Sequence, residues 1–402
     1  LPTLNSAFKA KSTCQPTVIT ILAVFSFVGL FVLSQTFSKD FVDGERVFVG
    51  TSNLRPGSNL EQKIVEGRVH LIDYQAGNGI FCELNFDLHK QNPSMYPMFR
   101  DLVKASGCNS AGNRQRYGFK KAVALARDYD LANDHPLNGV PQGFIFHESR
   151  CGSTLAANAF AAVENTRVYS ESAPIASLIA STSADPTSIK DALYIMSRFS
   201  PTYFKFQSVL TFSILDITEA YPSVPFIFVY RDPVQVMVSH FKGSANHQSQ
   251  ARGSANTPNC ARGRSHPQPG VQAALDSKLG SFGKASSEMF CAAHLSRICE
   301  EALKAISRSA GKGLPLGYEG LVDKLMADYM ETHFSLKLTA TDKDRLVYIS
   351  GSYSKARTSG AQFHGDSDEK DKKASPMVVE AAGMFMKEGF DELQALEASR
   401  EL

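Results

Sequence analysis

The chain has 402 residues, of which 43% are hydrophobic and 20% charged, a composition typical of a globular protein with a substantial core. This composition excludes wholesale disorder and collagen-like or coiled-coil architectures. Lysine and arginine total 42 against 40 aspartates and glutamates, a formal net charge of +2. Because the charges nearly balance, the protein has no overall positive field that would attract a nucleic-acid backbone, and we predict no nucleic-acid partner. A local basic pocket remains compatible with this net charge.

An uncharged apolar segment covers residues 18–37, about the length needed to cross the hydrocarbon core of a bilayer. We predict a transmembrane signal anchor here, preceded by a cytosolic tail over residues 1–17. Lys9 and Lys11 precede the segment and acidic residues follow it, so the positive-inside rule predicts a single-pass type II protein, of the Golgi, whose bulk is lumenal. A cleaved signal peptide and a buried core helix are the alternatives.

Seven cysteines are present, one of them before the apolar segment. The other six form an even set, which suits disulfide bonds in an oxidising lumen. Proximity in sequence favours Cys82 with Cys108, and Cys260 with either Cys291 or Cys299. The chain has no C-x-x-C pair and its histidines are scattered, so we predict no metal site.

Residues 38–140 contain short alternating apolar runs, at 46–49, 69–74 and 80–86, broken by turns rich in Asn, Gly and Pro. We interpret this region as a stem or N-terminal extension that bears strands.

The pattern changes after residue 140. Gly143–His147 is nearly all apolar, which is typical of a strand buried on both faces, and a turn of small residues leads from it to a helical pattern over residues 154–163. Residues 224–230 repeat the buried-strand pattern and lead through Pro233 to a helical pattern over residues 234–241. Two strands that each feed a helix predict a wound α/β domain, which we extend over residues 141–402.

Residues 242–285 are rich in small and polar residues and carry basic side chains against a single acid, Asp276. We interpret them as an inserted basic loop or lid, with a solvated loop as the alternative. The later pattern predicts a helix over 287–307, a strand over 314–318, a helix near 321–332, a charged loop over 353–373 and helices over 376–401.

The most informative segment is the loop after the first buried strand, residues 147–155, HESRCGSTL. Its small residues allow backbone N–H groups to turn inward, and the following helix N-terminus adds partial positive charge, so the loop can hold a phosphate or sulfate. It lacks the G-x-x-x-x-G-K-[ST] spacing of a nucleoside-triphosphatase P-loop, because Arg150 precedes Gly152. The spacing resembles instead the 5′-phosphosulfate loop of sulfotransferases, basic-x-Gly-[ST]-Thr, with Arg150 in place of the usual Lys.

A second segment resembles the 3′-phosphate element of the same family, a strand that ends in Arg-Asp-Pro and is followed by a serine. Arg231 ends the strand here, and Ser239 stands eight residues further on. An arginine at a strand end and a serine two helical turns later can converge on one phosphate.

Two weaker matches follow in the expected order. Residues 318–321, Tyr-Glu-Gly-Leu, look like the Tyr-Glu-x-Leu segment that ends a later strand in many sulfotransferases. Residues 354–370 look like the C-terminal loop that closes over the nucleotide, although Ser367 replaces the expected aromatic residue.

The resemblance spans the chain from about residue 143 and implies a P-loop-like parallel sheet flanked by helices. It implies transfer of a sulfuryl group, without a metal, from 3′-phosphoadenosine 5′-phosphosulfate to a hydroxyl or amine of a glycan, protein or small metabolite. The donor-binding residues that it implies are Arg150, Cys151, Gly152, Ser153, Thr154, Arg231, Ser239, Lys355 and Arg357. Arg150 would also act in catalysis, by stabilising charge on the departing phosphate.

A general base must accept the proton of the acceptor. We predict Glu171 for this role, because a Glu just after the second strand serves it in some bacterial carbohydrate sulfotransferases that this stretch resembles. His147 and Glu148 beside the loop are second choices, and His240 and His364 are more distant ones. The plain alternatives are a helix-start or surface carboxylate for Glu171 and a structural strand-end histidine for His147.

Two other functions are weighed against this one. An ATP-dependent phosphotransferase would need a lysine where Ser153 stands and an acidic ligand for Mg²⁺. The second alternative is a membrane-tethered protein that binds a nucleotide or glycan, and that keeps the fold but not the catalytic activity.

Overall fold

The computed structural model describes residues 59–133, 139–182, 186–242, 258–352, 357 and 367–400. All of them belong to one unit of chain packing, residues 51–402. The predicted cytosolic tail and membrane anchor lie outside the described residues, as do Lys355 and His364. Within the described ranges, no helix combines the length and the apolar character needed to span a bilayer.

The predicted extension forms a three-stranded antiparallel sheet with helices around it. Its strands, in the order β1-β2-β3, are β1 (His70–Gln75), β2 (Asn78–Cys82) and β3 (Gln115–Gly118). Its helices are α1 (Asn59–Val65), α2 (Phe86–Gln91), α3 (Phe99–Ala105) and α4 (Phe119–Ala132), with a 3₁₀ turn at Ala111–Asn113. The ring of Phe99 packs 5.3 Å from that of Tyr169, so this part shares a core with the rest of the described chain.

A five-stranded parallel sheet lies at the centre, as expected for an α/β fold. Its strands are β4 (Gly143–His147), β5 (Arg167–Ser170), β6 (Thr202–Lys205), β7 (Phe226–Tyr230) and β8 (Gly313–Gly317). The spatial order is β5-β6-β4-β7-β8. The first of these strands in the chain, β4, is therefore central, with β5 and β6 on one side of it and β7 and β8 on the other. The carboxyl end of β4 is therefore a topological switch point, where α/β sheets form their binding crevices.

The continuous apolar runs of β4 and β7 follow from the two cores that the sheet separates. Every residue of both strands is buried. Phe144 and Phe146 of β4 belong to one hydrophobic core, whereas Ile145 between them belongs to the other. Because successive side chains of a strand point to opposite faces, a strand covered on both faces has no polar alternation.

Helices flank this sheet, with short 3₁₀ turns and one π-helix between them. The α-helices are α5 (Ser153–Ala162), α6 (Ala173–Thr182), α7 (Pro186–Met196), α8 (Ile214–Ala220), α9 (Pro233–Phe241), α10 (Val271–Leu279), α11 (Ser287–Arg308), α12 (Met330–Thr332), α13 (Ala340–Ser350), α14 (Ser367–Lys373), α15 (Pro376–Phe385) and α16 (Lys387–Ala398). The 3₁₀ turns are Ser208–Ser213, Asn259–Ser265, Phe282–Lys284 and Tyr318–Gly320, and the π-helix is Leu321–Tyr329.

The basic insert predicted as a loop is largely helical where it is described, from residue 258 onward. Val271 and Leu275 of α10 are fully buried, and a disulfide joins Cys260 to Cys291 of α11. The composition of this segment predicts a loop, but these contacts order it. Burial of its apolar side chains offsets the conformational entropy that the chain loses on ordering. Residues 243–257 of the insert lie outside the described ranges.

The predicted charged loop over 353–373 is also helical at its end, because residues 367–373 form α14. Acidic side chains occupy the first turn of this helix and lysines occupy its last turn. These charges stabilise the helix by interacting favourably with its dipole. The predicted helices near 321–332 and over 376–401 are observed, the first of them beginning as the π-helix.

Two disulfides, Cys82–Cys108 and Cys260–Cys291, confirm the pairings that proximity favoured. The structure decides for Cys291 over Cys299 as the partner of Cys260. Cys151 and Cys299 are free thiols, and both are buried.

Candidate functional site

A cavity of about 610 Å³ opens at the carboxyl ends of β4, β5 and β7. The loop between β4 and α5, the residues after β5 and β7, and helix α9 line it. The start of α3 and the 3₁₀ turn Asn259–Ser265 line it as well. Of the residues singled out in the sequence, the cavity brings together His147, Arg150, Cys151, Gly152, Ser153, Thr154, Glu171, Arg231, Ser239, His240 and Arg357.

The loop between β4 and α5 has an unusual backbone. Ser149 and Arg150 have positive φ angles of 104° and 54°, and Gly152 has 85°. A positive φ costs a residue other than glycine about 1–3 kcal/mol, a strain that proteins retain mainly at functional sites. Gly152 is required for space as well, because a Cβ there would lie 2.5 Å from Leu321 Cδ1. The loop thus forms a sharp turn, and the N-terminus of α5, which directly follows it, lines the cavity.

Two hydrogen bonds fix this loop to the neighbouring strand. The backbone N–H of Glu148 donates to the carbonyl of Val229 over 3.0 Å, and the thiol of Cys151 donates to the same carbonyl over 3.1 Å. Burial, with the charge of Glu148 as a second cause, raises the pKa of Cys151 to about 11, so its thiol stays protonated. Cys151 therefore anchors the loop.

Thr154 has an unsatisfied hydroxyl. Its Oγ1 is buried and has no hydrogen-bond partner among the described residues, and the residue lines the cavity at the first turn of α5. A buried hydroxyl left unpaired costs about 1–3 kcal/mol, and an oxygen of a bound anion would relieve that cost. This atom and the adjacent helix N-terminus fit a phosphate or sulfate group.

The two elements that the sequence assigned to phosphate binding meet in the cavity. Arg150 Nε donates to Ser239 Oγ over 2.9 Å, although 89 positions separate the two residues. Arg150 comes from the loop after β4, and Ser239 from α9. One ligand at this point can contact both elements.

Arg231 is held rigidly at the end of β7. Its Nε donates to Gln235 Oε1 over 2.8 Å and one of its terminal nitrogens donates to Ser367 Oγ over 2.9 Å. The guanidinium group lies 3.8 Å from the centre of the Tyr318 ring, and the residue is 5% exposed. Tyr318, from the first of the two weak matches, thus stacks on Arg231, and Ser367, which stands where the resemblance expects an aromatic residue, binds it.

Glu171 follows β5 and has a positive φ of 56°. Its carboxylate accepts a hydrogen bond from Lys205 Nζ and lies 3.9 Å from His147 Nε2. His147 Nε2 is also 3.0 Å from the carbonyl oxygen of Phe206. Glu171, His147 and Lys205 thus form one cluster at the carboxyl ends of three adjacent strands.

Lys205 is the member of this cluster that sequence reasoning missed. It ends β6, and its side chain is fully buried. The signal was present in the run Thr202–Lys205, TYFK, where a lysine follows residues that a buried strand requires to be apolar. A buried ammonium group is retained only with a partner, which Glu171 supplies here.

Glu148 does not line the cavity, although its position beside the loop made it a second choice for the general base. It is 2% exposed, and Arg231 donates its backbone N–H to Glu148 Oε2 over 3.2 Å. Burial, with the nearby Asp232 as a further cause, raises the pKa of Glu148 to about 8. Glu148 therefore links β4 to the end of β7 and is not placed to receive a proton from a substrate.

Two more of the residues singled out in the sequence lie at the cavity. Arg357 lines the cavity and pairs with Asp101 over 3.1 Å, and His240 lines the cavity from α9. Across the described part of the chain, no group of three or more His, Cys, Asp and Glu side chains could hold a metal ion. Comparison with known proteins finds no family model that matches the chain and no curated protein that matches it significantly.

Proposed function

We propose that this chain is a sulfotransferase that transfers the sulfuryl group of 3′-phosphoadenosine 5′-phosphosulfate to an acceptor hydroxyl or amine. The hydrogen bond between Arg150 and Ser239 carries the proposal. It joins two motifs of one family that lie far apart in the sequence, at the switch point of a parallel α/β sheet.

The residues of the loop suit the 5′ end of the donor. The N-terminus of α5, the unpaired hydroxyl of Thr154 and the guanidinium of Arg150 provide donors for the oxygens of a phosphosulfate. Arg231, held by Gln235 and Tyr318, suits the 3′-phosphate. The fixed orientation of Arg231 lowers the ordering cost of binding.

The reaction needs in-line placement and stabilisation of charge. The acceptor oxygen forms a bond to sulfur as the bond from sulfur to the 5′-phosphate oxygen breaks. Arg150 and the amides at the start of α5 stabilise the charge that develops on the departing phosphate. Glu171 accepts the proton of the acceptor hydroxyl, while Lys205 holds the Glu171 carboxylate in place. The products are a sulfate ester and 3′-phosphoadenosine 5′-phosphate.

We also propose a lumenal site of action, with residues 18–37 as a membrane anchor in the Golgi. The two disulfides support an oxidising compartment. Protease protection of the full chain in sealed microsomes tests this orientation, and digestion of residues 59–400 without detergent would overturn it.

Thermal unfolding of the full chain in detergent tests donor binding first. A ligand bound only by the native state adds about 2.7 kcal/mol of stability at 100 times its Kd. We expect stabilisation by 3′-phosphoadenosine 5′-phosphate and none by ATP with Mg²⁺. A response to ATP with Mg²⁺ alone would instead favour a phosphotransferase.

Transfer of labelled sulfate from the donor to a panel of acceptors tests catalysis. Arg150→Ala and Arg231→Ala should each lower kcat/KM by at least about 100-fold, because each removes a charged donor from the donor site. Arg116→Ala is the matched control, since Arg116 is exposed on β3, away from the cavity. Full activity in both site variants would refute the proposal, and donor binding without turnover of any acceptor would favour a non-catalytic binding protein.

A further inference from the structure

The start of α3 contributes to the cavity an arginine that has no partner among the described residues. Arg100 is the second residue of α3, lines the cavity and is exposed. Among the described residues, no hydrogen bond or ion pair engages its guanidinium group. Arg357 also lines the cavity but differs from Arg100, because both its Nε and a terminal nitrogen contact Asp101 of α3.

Arg100 lies on the side of the cavity where Glu171 stands. Ser170 Oγ contacts Met98 Sδ over 3.8 Å, and Met98 itself lines the cavity. Glu171 directly follows Ser170, and Arg100 follows Met98 by two residues, a Cα separation of at most about 7.6 Å. The start of α3, which carries Arg100, therefore lies beside the end of β5, the strand that Glu171 follows.

The charges along the cavity are strongly unequal. The charged side chains that line it are those of Arg100, Arg150, Arg231 and Arg357, together with the single carboxylate of Glu171. Lys205 already balances Glu171, and Asp101 balances Arg357. Arg150 and Arg231 belong to the proposed donor site, where Arg150 donates to Ser239 and Arg231 donates to Gln235. Arg100 is left as an uncompensated positive charge on the acceptor side.

We propose that the acceptor carries a second, anionic group, a carboxylate or a sulfate, and that Arg100 binds this group while Glu171 faces the hydroxyl. The inference rests on the proposed function, because it presupposes that the donor occupies the side of Arg150 and Arg231. A guanidinium group pairs with either anion through two parallel hydrogen bonds. Binding at one fixed point beside Glu171 would orient the acceptor for transfer.

The test uses a pair of probes that differ only in charge, phenyl β-glucuronide and phenyl β-glucoside. The full chain, loaded with 3′-phosphoadenosine 5′-phosphate, is titrated with each probe, and sulfate transfer to each is then measured with the donor. We expect the glucuronide to bind at least about tenfold more tightly than the glucoside. Arg100→Ala should abolish that difference and Arg100→Lys should restore part of it, whereas Arg116→Ala should leave it unchanged.

The affinity for 3′-phosphoadenosine 5′-phosphate separates the possible failures. If Arg100→Ala weakens binding of this bisphosphate by tenfold or more, Arg100 belongs to the donor site and the inference is overturned. Equal binding of the two probes, or binding of neither, also overturns it, although the proposed function stands as long as the bisphosphate stabilises the chain. Absence of bisphosphate binding by the unaltered chain would refute the proposed function itself.

Discussion

Lys205 and Glu171 form an ion pair across the ends of two adjacent strands, with the lysine side chain fully buried and the glutamate side chain 24% exposed. The pair is therefore asymmetric. The glutamate can be solvated in part if its partner is lost, whereas the lysine cannot.

This asymmetry predicts different costs for the two single substitutions. Glu171→Gln should lower the free energy of unfolding by about 3 kcal/mol, because it leaves a buried ammonium group without a counter-charge. Lys205→Met should cost only about 1 kcal/mol, because the new side chain is apolar and similar in length. Urea unfolding followed by circular dichroism measures both, with Lys278→Met of the exposed face of α10 as the control. A larger loss for Lys205→Met than for Glu171→Gln would contradict the buried-lysine interpretation.

Glu148 predicts a pH dependence of stability. Its pKa is raised by burial from 4.5 to about 8, so between these pH values the folded chain keeps a proton that the unfolded chain releases. The contribution of Glu148 to stability is therefore complete below pH 4.5 and is lost as pH rises towards 8, by at most about 1.4 kcal/mol per pH unit.

Glu148→Gln keeps a hydrogen-bond acceptor for the Arg231 backbone but cannot ionise. The difference in unfolding free energy between this variant and the unaltered chain should shift in favour of the variant as pH rises from 5 to 8. Glu388→Gln, at an exposed position of α16, should show no such trend. Parallel pH profiles for Glu148→Gln and the unaltered chain would show that the carboxyl group is already ionised at pH 5.

Gly152 and Gly77 form a matched pair for the β4–α5 loop. Both have a left-handed backbone, with φ of 85° and 79°, but a Cβ would collide with Leu321 and Tyr318 at Gly152 and with nothing at Gly77. Gly77→Ala should cost about 1 kcal/mol from backbone strain alone. Gly152→Ala should cost at least about 2 kcal/mol more and abolish stabilisation by 3′-phosphoadenosine 5′-phosphate. Equal losses of stability would mean that the loop relaxes around the added methyl group.

The Cys260–Cys291 disulfide holds the described part of the basic insert against α11. Replacing both cysteines by serine should lower the free energy of unfolding by about 3 kcal/mol, because the bond restricts a loop of 31 residues in the unfolded chain. Since Cys260 lines the cavity, acceptor KM should rise while donor affinity is retained. Cys299→Ser, which alters a buried free thiol on the same helix, is the control for a general effect on α11. An unchanged acceptor KM in the double variant would separate the insert from acceptor binding.

The sequence predicted the parallel sheet and its loop well because both depend on local patterns. Gly143–His147 has the same bounds in the sequence prediction and in the structure, since a strand buried on both faces leaves an unbroken apolar run. The helix after Asp232 was equally clear, because Pro233 begins it and Asp232 caps it by accepting the Gln235 N–H over 3.0 Å. The segments predicted as loops failed for the opposite reason, since their order comes from distant contacts such as the packing of Val271 and Leu275.

The sequence by itself thus determined the fold class, the strand, turn and helix over residues 143–163 and several of the residues that line the cavity, because these follow from periodicity and from spacing within single elements. Only the tertiary structure decided that Arg150 meets Ser239, that Lys205 holds Glu171, that Glu148 turns away from the cavity and that Arg100 has no partner among the described residues. Each of these relationships joins residues from separate strands and helices. Their distances are set by the order β5-β6-β4-β7-β8, which no local pattern in the chain encodes.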